Sequence, residues 1–308
     1  MLRIGLLTSG GDCQALNATM RGIVKTLMTN SEEPIEIYGF EDGYQGLIYS
    51  RFRVMTPADF SGILTRGGTI LGTSRTPFKR LDIPEADGVE KVPAMVHTYH
   101  KLQLDCLFML GGNGSTKTAN RLREEGLNVI ALPKTIDNDT WGTELTFGFT
   151  SAIDVATKCI DDIHTTASSH GRVFVIEIMG HKVGWIPLYA GVAGGADGIR
   201  LAKCESAQDV KTVEEHVAAA EREFGVEVGR TLLMAALESP KGIMNAYEIC
   251  AASDRMFGVA ISGGDFRKCM QTKPTADGID MLFARGQMLL AARAAGAQCF
   301  DTVFTDLD

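Results

Sequence analysis

Two carboxylates separated by a single residue stand out in the stretch LPKTIDNDT, where Asp137 and Asp139 follow the apolar run NVIAL. In an open parallel sheet, ligands bind beyond the carboxyl ends of the strands, and we expect the pair to lie there. One carboxylate could accept a proton from an attacking hydroxyl while the other acts on a metal ion held by phosphates, as phosphoryl transfer requires. From spacing alone, a solvated turn rich in Asp and Asn is an equal alternative.

Glycine pairs follow two other β-rich runs, in TSGGDCQALN and MLGGNGSTKT, and each leads into a helical pattern. Glycines at a strand-to-helix turn let backbone N–H groups approach a phosphate, and the next helix N-terminus adds a favourable dipole. One such turn is weak evidence, because most only close a β–α connection, and two in one sheet are better evidence. The G-x-x-x-x-G-K-[ST] motif is absent, so the sequence does not predict a P-loop.

A second pair of carboxylates lies in the last third of the chain. Glu238 follows the apolar run TLLMAAL, and Asp265 follows FGVAI through SGG. Carboxylates at the carboxyl ends of successive strands are typical of active sites in (β/α)8 barrels, and hard oxygen ligands suit Mg²⁺. On these two positions alone, acidic residues that simply begin loops are the better explanation.

These side chains need elements to position them, and the sequence alternates strand and helix patterns. In the first two-thirds, RIGLLT, CLFML, NVIAL and RVFVIEIMG are predicted strands between longer helical patterns, which indicates a mostly parallel sheet with helices on its faces. The last third repeats the alternation with GIRLA, TLLMAAL, FGVAI and CFDTVF. The predicted fold class is therefore α/β, a Rossmann-like parallel sheet followed by a partial (β/α) barrel-like segment.

One helix in the last third carries signals for both of its ends. Ser206 with Asp209 three residues later matches a capping box, and Gly225 ends the pattern. The apolar residues that share one face of this predicted helix are Val210, Val213, Val217, Ala220 and Phe224.

The composition is that of a soluble globular protein. The 308 residues are 45% hydrophobic and 22% charged, which suits one large domain or two ordinary ones. The net charge of −8 argues against nucleic acid or an anionic membrane as partner, and no apolar run approaches the length of a membrane span. Because the N-terminus turns polar too early for a signal peptide, we expect a cytoplasmic location. The seven scattered cysteines include no C-x-x-C pair.

The first two-thirds of the chain resembles the 6-phosphofructokinase family. The matching stretches include IGLLTSGGDCQALNATMRG, GGTILGTSRTPF, GGNGSTKTANRL, PKTIDND and SSHGRVFVIEIMG, in the family's order over residues 1 to about 197. The resemblance implies a phosphofructokinase-type sheet and phosphoryl transfer to fructose 6-phosphate. It also implies Mg²⁺ as cofactor and small phosphate-bearing molecules as substrates.

The resemblance also implies a role for each matching residue. Asp137 would be the base that activates the sugar hydroxyl, with Thr135 and Asp139 beside it in the reacting centre. Arg172 would reach the substrate of a neighbouring subunit, which implies a homo-oligomer. The donor site would comprise Gly10, Arg75, Gly112, Asn113, Gly114 and Ser115, and the fructose 6-phosphate site would comprise Arg172, Met179 and Gly180.

Three positions bear on the phosphoryl donor and its metal. Family members that use ATP usually have glycine at the position of Gly114 and also before the TIDND run, whereas pyrophosphate users tend to have aspartate and lysine there. This chain has Gly114, which leaves room for the inner phosphate of ATP and favours ATP, and Lys134, which keeps pyrophosphate as the alternative. Asn113 replaces the aspartate that is usual beside the metal, so a Mg²⁺ ligand at this position is doubtful.

The family's later motifs do not follow AGVAGGAD, because there is no QRGG and no histidine after His216. Instead, GADGIRLAKCESAQDV, ALESPKGIMNAYEI and FARGQMLLAARAAGAQCFDTVFTDLD resemble the citrate lyase β-subunit and malyl-CoA lyase family of Mg²⁺-dependent carbon–carbon lyases. This resemblance covers about residue 195 to 308 and implies a CoA or acyl-carrier thioester as substrate. It also implies that Glu238 and Asp265 bind the metal. That family's early strands and an arginine are missing.

The two resemblances meet at GGAD, residues 194–197, and predict a hybrid with domains 1–197 and 198–308. Three functions stay open. An ATP-dependent phosphofructokinase-like activity is favoured because more of its site is present, although the missing sugar-phosphate contacts would impair it. The alternatives are a Mg²⁺-dependent lyase and an α/β hybrid without catalytic activity.

Overall fold

The chain forms two compact units in a computed structural model that describes residues 1–303. The first unit comprises Met1–Val155 and Met179–Ile186, and the second comprises Ala156–Ile178 and the chain from Pro187 onward. The chain therefore leaves the first unit, returns to it briefly and leaves it again. The predicted boundary near residue 197 stays a prediction.

The first unit contains a six-stranded sheet. Its strands are β1 (Leu2–Ser9), β2 (Ile35–Phe40), β3 (Phe52–Met55), β4 (Cys106–Gly111), β5 (Val129–Thr135) and β6 (Phe147–Gly148). The strand order is β3-β2-β1-β4-β5-β6, and all neighbours are parallel except β2 and β3. Because the chain moves outward from β1 to β3 and returns to β4 on the other side of β1, the strand order reverses at β1 and β4. Such a switch point opens a crevice at the carboxyl ends of the two strands.

Helices cover both faces of this sheet, and β1 is buried on both. Leu6 packs into the apolar cluster that contains Leu16 and Met20, whereas Leu7 packs into the cluster that contains Met95. Successive side chains of a strand point to opposite faces, so a run buried on both sides is continuously apolar. The helices of this unit are α1 (Ala15–Asn30), α2 (Tyr44–Ile48), α3 (Lys91–Lys101) and α4 (Asn113–Glu124), with short 3₁₀ turns at Pro57–Phe60 and Phe78–Arg80.

Two helices contribute residues to both units. They are α5 (Phe149–His170) and α6 (Trp185–Ala193). Over residues 1–303, no helix is both long enough and apolar enough to cross a membrane.

The second unit contains a four-stranded parallel sheet of order β10-β9-β8-β7. Strands that follow each other in the chain are neighbours, with helices between them, which is the strand order within a (β/α) barrel. The strands are β7 (Gly198–Leu201), β8 (Leu232–Leu237), β9 (Met256–Ile261) and β10 (Gln298–Phe300), and the helices are α7 (Ala207–Glu223), α8 (Pro240–Met244), α9 (Ala246–Cys250), α10 (Gly263–Met270) and α11 (Ile279–Ala294). This sheet and the first one confirm the predicted α/β class with two successive parallel segments.

The ends of α7 are those predicted from the sequence. The Ser206 hydroxyl accepts a hydrogen bond from the Asp209 N–H at 3.3 Å, and Asp209 Oδ2 accepts one from the Ser206 N–H at 2.9 Å. Gly225 follows the helix with φ of 69°, in the left-handed region that glycine tolerates best. Local side-chain chemistry therefore determines both ends of this helix.

The stretch RVFVIEIMG is predicted as a strand, and this prediction is wrong. Residues 172–180 form no strand, and the side chains of Val173 and Val175 are 95% and 79% exposed. The apolar pattern suits a buried strand, but a strand also needs a neighbour, and within residues 1–303 none pairs with this stretch. The predicted strand CFDTVF begins with Cys299 and Phe300, which belong to β10. Phe304 and the TDLD segment lie outside the described residues.

Candidate active site

A pocket of about 580 Å³ lies in the first unit at the carboxyl ends of β1, β4 and β5. It therefore occupies the crevice at the switch point, where ligands of open α/β sheets bind. The predicted site residues that line it are Gly10, Arg75, Gly112, Asn113, Gly114, Ser115, Lys134, Thr135, Asp137 and Met179. Segments far apart in sequence thus meet in one concave site.

The first glycine turn follows β1 and is tied to the loop that carries Arg75. Gly10 has φ of 87°, a conformation that strains residues with a side chain. Its N–H donates to the Ser74 carbonyl at 3.1 Å, and the Thr73 hydroxyl donates to the Gly10 carbonyl at 2.7 Å. These bonds hold the turn against the loop and keep both at the pocket wall.

The second glycine turn follows β4 and opens helix α4. Gly112 precedes the helix, so the first backbone N–H groups of α4 have no partner inside the helix, and the residues from Gly112 to Ser115 line the pocket. The Ser115 hydroxyl donates to the Ser9 hydroxyl oxygen at 2.8 Å, which joins the two glycine turns. The Tyr44 hydroxyl donates a hydrogen bond to the Ser115 carbonyl at 2.8 Å, which holds the first turn of α4 in place. A helix N-terminus of this kind favours phosphate.

Lys134 places a buried cation at the pocket. Its side chain is 5% exposed, and its ammonium donates to the Gly11 carbonyl in the first glycine turn. Burial lowers the pKa of Lys134 from its ordinary value, while the nearby Asp12 carboxylate opposes that shift. An ammonium has three N–H donors, so one bond to Gly11 leaves donors for an anion in the pocket.

Asp137 lies in a tight turn after β5. Its N–H donates to the Thr135 hydroxyl oxygen at 3.1 Å, and the Thr135 hydroxyl donates to Asp137 Oδ2 at 3.3 Å. Asn138 adopts φ of 51°, which asparagine tolerates better than most residues, and its side chain bonds the backbone of Glu144 and Thr146. A turn rich in Asp and Asn therefore does follow β5, and this turn holds the two aspartates at the pocket.

Asp139 is held by two side chains from other segments. His181 Nδ1 lies 2.9 Å from Asp139 Oδ2, and the Asn113 amide donates to the Asp139 carbonyl at 3.2 Å. The ligand atoms of Asp137, Asp139 and His181 all lie within 4.8 Å of one another. The two carboxylates fit Mg²⁺, which is commonly bound by one or two carboxylates together with substrate phosphates. His181 would orient Asp139 from outside the metal's ligand set.

From the sequence, His181 is expected at the surface or just outside a metal's ligand set, because no other histidine lies four residues from it to complete a ligand pair. The available signal was its position directly after Met179 and Gly180, which were predicted as substrate-binding residues. The Gly180 carbonyl accepts hydrogen bonds from the N–H groups of Val183 and Gly184 at 3.1 and 3.0 Å. This turn returns the chain to the first unit and brings His181 to Asp139.

Arg172 is the predicted substrate residue that does not belong to the first unit. It follows α5 in the second unit, its side chain is exposed, and its N–H donates to the Ala167 carbonyl at 3.0 Å. Its predicted role, contact with the substrate of a neighbouring subunit, stays a prediction.

The second predicted pair, Glu238 and Asp265, meets in the second unit with a lysine between the carboxylates. Lys203 Nζ lies 3.0 Å from Glu238 Oε2 and 3.5 Å from Asp265 Oδ2, and the Lys203 N–H donates to Glu238 Oε1 at 3.2 Å. The hydrogen bond with Glu238 raises the pKa of Lys203, so its ammonium stays charged. With the Lys203 ammonium between its carboxylates, the pair does not fit Mg²⁺. Metal binding here stays a prediction, and it would require the Lys203 side chain to move away from both carboxylates.

The fold and the pocket together define an α/β protein with its candidate site at a strand-order switch point. The family model described as phosphofructokinase matches residues 3–250, and the chain belongs to this family.

Known proteins similar to the chain agree with this assignment. The ATP-dependent 6-phosphofructokinase of Spirochaeta thermophila is 58% identical over 201 residues, which are 64% of this chain and 54% of that protein. The chain spans little more than half the length of the curated relatives it matches. A structure of phosphofructokinase from Saccharomyces cerevisiae covers 100% of this chain and 38% of that chain with TM-score 0.59 at 23% identity, which shows the fold alone.

The lyase-like half of the chain has weaker support. The citrate lyase β subunit from Mycobacterium tuberculosis covers 42% of the chain at 28% identity, but with a TM-score of 0.31 this likeness carries no argument. The phosphofructokinase match continues to residue 250, past the predicted junction at residues 194–197. The hybrid therefore stays a prediction.

Proposed function

We propose that the chain transfers a phosphoryl group from ATP to a hydroxyl of fructose 6-phosphate. The observation that carries the proposal is the position of Asp137, in one pocket with two glycine turns, a helix N-terminus and the buried ammonium of Lys134. The glycine turns, the helix N-terminus and the ammonium bind and orient phosphate, and Asp137 adds the base. The curated relatives named as ATP-dependent 6-phosphofructokinases support this substrate pair.

The chemistry assigned to the chain is in-line displacement. The Asp137 carboxylate accepts the proton of the attacking sugar hydroxyl, whose oxygen forms a bond to the terminal phosphorus as the bond to ADP breaks. Thr135, which bonds Asp137 Oδ2, holds the carboxylate in position. Mg²⁺ would neutralise charge on the donor phosphates, and Asp139 would hold it. Lys134 and Arg75 would complement the remaining negative charge.

Two residues bear on the choice of donor. A side chain at position 114 would meet nothing within 4 Å, so Gly114 borders open space that the inner phosphate of a nucleotide can use. We therefore infer ATP as the donor. Lys134 is the feature that pyrophosphate users tend to share, and pyrophosphate is the alternative donor.

The activity is proposed to be impaired. Residues 198–308 do not carry the family's later motifs that hold the sugar phosphate, and each charge-assisted hydrogen bond that is not made removes about 1.5–3 kcal/mol. Arg172 is proposed to contact the substrate of a neighbouring subunit, which would make the enzyme a homo-oligomer. The proposed location is the cytoplasm. The Mg²⁺-dependent lyase is less favoured, because Lys203 occupies the space between Glu238 and Asp265. An inactive hybrid is the third candidate.

Calorimetric titration of the chain with ATP and Mg²⁺, followed by a fructose 6-phosphate-dependent assay of ADP release, tests the proposal. We expect nucleotide binding and slow turnover. Asp137→Asn should lower turnover by about 10²- to 10⁴-fold with ATP affinity nearly unchanged, because the base acts only in the chemical step. Glu124→Gln, at the far end of α4, is the matched control that should change neither.

The outcomes separate the three candidates. Binding of ATP without any turnover would show that the chain binds a nucleotide but is not a kinase, and would contradict the proposal. Absence of ATP binding, with binding of acetyl-CoA and Mg²⁺ instead, would favour the lyase. Binding of neither would leave the inactive hybrid.

A further inference from the structure

Helix α11 in the second unit is apolar on two opposite faces. One face packs into the core of the unit through residues that include Met281, Met288 and Ala292, all 1% exposed or less. A helix that is apolar all round is normally buried on all sides. Yet a row of large apolar side chains on the opposite face is exposed: Ile279 63%, Leu282 65%, Phe283 74%, Leu289 46% and Leu290 72%. We call these five residues with Gly286 the outer stripe.

The outer stripe is symmetric about Gly286. Leu282 and Leu290 lie four residues to either side of it, and Phe283 and Leu289 lie three residues to either side. At about 100° per residue these four side chains point within about 60° of the direction of Gly286. When two copies of α11 cross antiparallel at Gly286, each Leu282 faces Leu290 of the other copy and each Phe283 faces Leu289. The stripe is therefore complementary to itself.

Packing within the single chain does not require a glycine at position 286. A Cβ atom at this position would meet nothing within 4 Å, and glycine in a helix interior costs about 1 kcal/mol relative to alanine. At a crossing of two helices, however, a residue without a side chain lets the two backbones approach closely. The glycine thus lies at the one position of the stripe where a two-fold axis would pass.

Charges at the ends of the stripe agree with the same pairing. Arg293 is exposed seven residues after Gly286, and the antiparallel arrangement places it opposite Ile279 of the other copy. The exposed carboxylate of Asp277 lies two residues before that isoleucine. Opposite charges therefore meet at both ends of the helix pair, whereas a parallel pair would bring like charges together.

We propose that α11 binds α11 of a second copy of this chain, antiparallel and crossing at Gly286, to form a two-fold symmetric dimer. A two-fold interface joins the same patch on both subunits, which the symmetric stripe satisfies. The proposal does not depend on the phosphofructokinase activity.

Sedimentation velocity of the full chain over a concentration series tests the pairing. Leu282→Glu places a carboxylate against Leu290 and should weaken dimerisation at least about 100-fold, as removal of a central anchor does. Leu290→Lys should do the same. The double variant should recover most of the dimer, because each glutamate then faces a lysine of the other copy. Leu64→Glu, at a leucine that is 60% exposed in the first unit, is the matched control and should leave the dimer intact.

Cysteine crosslinking tests the crossing point. Gly286→Cys places two thiols at the two-fold axis and should give a disulfide dimer under mild oxidation, above the background of the chain's own cysteines. Ala294→Cys is the control on the same helix, because it lies eight residues from the axis, about 24 Å from its copy. A monomeric chain at all concentrations, failure of the double variant to recover the dimer, or preferential crosslinking at position 294 would overturn the proposal.

Discussion

Glu221 is a fully buried carboxylate whose charge is matched on several sides. It accepts hydrogen bonds from the N–H groups of Gly229 and Thr231 at 3.0 and 2.9 Å, and Arg255 Nη1 lies 3.0 Å from both of its oxygens. Burial raises the pKa of Glu221, but these donors outweigh burial and the net shift is downward. The residue therefore stays ionised inside the second unit and joins α7 to the strands beside it.

Glu221→Gln should lower the free energy of unfolding by about 3–5 kcal/mol at neutral pH, because Arg255 loses its buried counter-charge. Since the folded pKa lies below the ordinary glutamate value of 4.5, the stabilisation is complete above that pH and disappears as the pH falls through the folded pKa. Urea unfolding across this range should show the difference between the two proteins shrinking in acid. Glu215→Gln, at an exposed position of the same helix, should change stability by less than about 0.5 kcal/mol.

Lys203 lies between Glu238 and Asp265, where the proposed metal ion would bind. Lys203→Met removes the ammonium and leaves two carboxylates facing each other, so affinity for Mn²⁺ should rise by at least about tenfold. Electron paramagnetic resonance of free Mn²⁺ measures this directly. Lys241→Met, which frees Glu205 at the surface, is the control. Equal Mn²⁺ binding by the unsubstituted chain and the Lys203 variant would contradict the blocking role.

At the scale of elements, both ends of α7 are determined by residues close to them in the sequence. Ser206→Ala removes the hydroxyl that accepts the Asp209 N–H and should lower the free energy of unfolding by about 1 kcal/mol. Ser206→Thr keeps a capping hydroxyl and should lose much less. Urea unfolding of the three proteins checks the prediction, and equal losses for alanine and threonine would show that the cap is not the cause.

The unpaired stretch 172–180 gives the second prediction at this scale. Because Val173 and Val175 are mostly exposed, Val175→Lys should change stability by less than about 0.5 kcal/mol. Leu233→Ala, at a fully buried position of β8, should by contrast cost about 2–5 kcal/mol. Backbone amides of residues 173–177 should also exchange with solvent fast. Slow exchange there, or a large loss for Val175→Lys, would mean that the stretch is a paired strand after all.

For the whole molecule, the two units allow the proposed donor site to be probed by itself. Both tryptophans, Trp141 and Trp185, belong to the first unit, whereas helices of both units contribute to circular dichroism. At a concentration 100 times its dissociation constant, Mg-ATP should stabilise the native state by about 2.7 kcal/mol. The thermal transition seen by tryptophan fluorescence should therefore rise. Acetyl-CoA with Mg²⁺ is the matched ligand control and should not move it, and a tryptophan transition that ignores Mg-ATP would contradict the proposed site.

The sequence by itself determined the features that depend on neighbours in the chain. The alternation of strand and helix patterns, the caps of α7 and the glycine turns after β1 and β4 follow from local hydrogen bonding and from the period of burial. The position of Asp137 and Asp139 after β5 was predictable for the same reason. A parallel sheet collects the ends of its strands, so the two glycine turns and the aspartates were expected in one place.

The tertiary structure alone decided which distant groups meet. RVFVIEIMG has the composition of a strand but finds no partner strand among residues 1–303. His181 reaches Asp139 only because the chain returns to the first unit, and Lys203 enters the space between Glu238 and Asp265. A strand pattern states which side chains can be buried, but pairing needs a second strand at the right place and register. An ion pair likewise depends on where two segments far apart in sequence come to lie, which the spacing of residues along the chain does not contain.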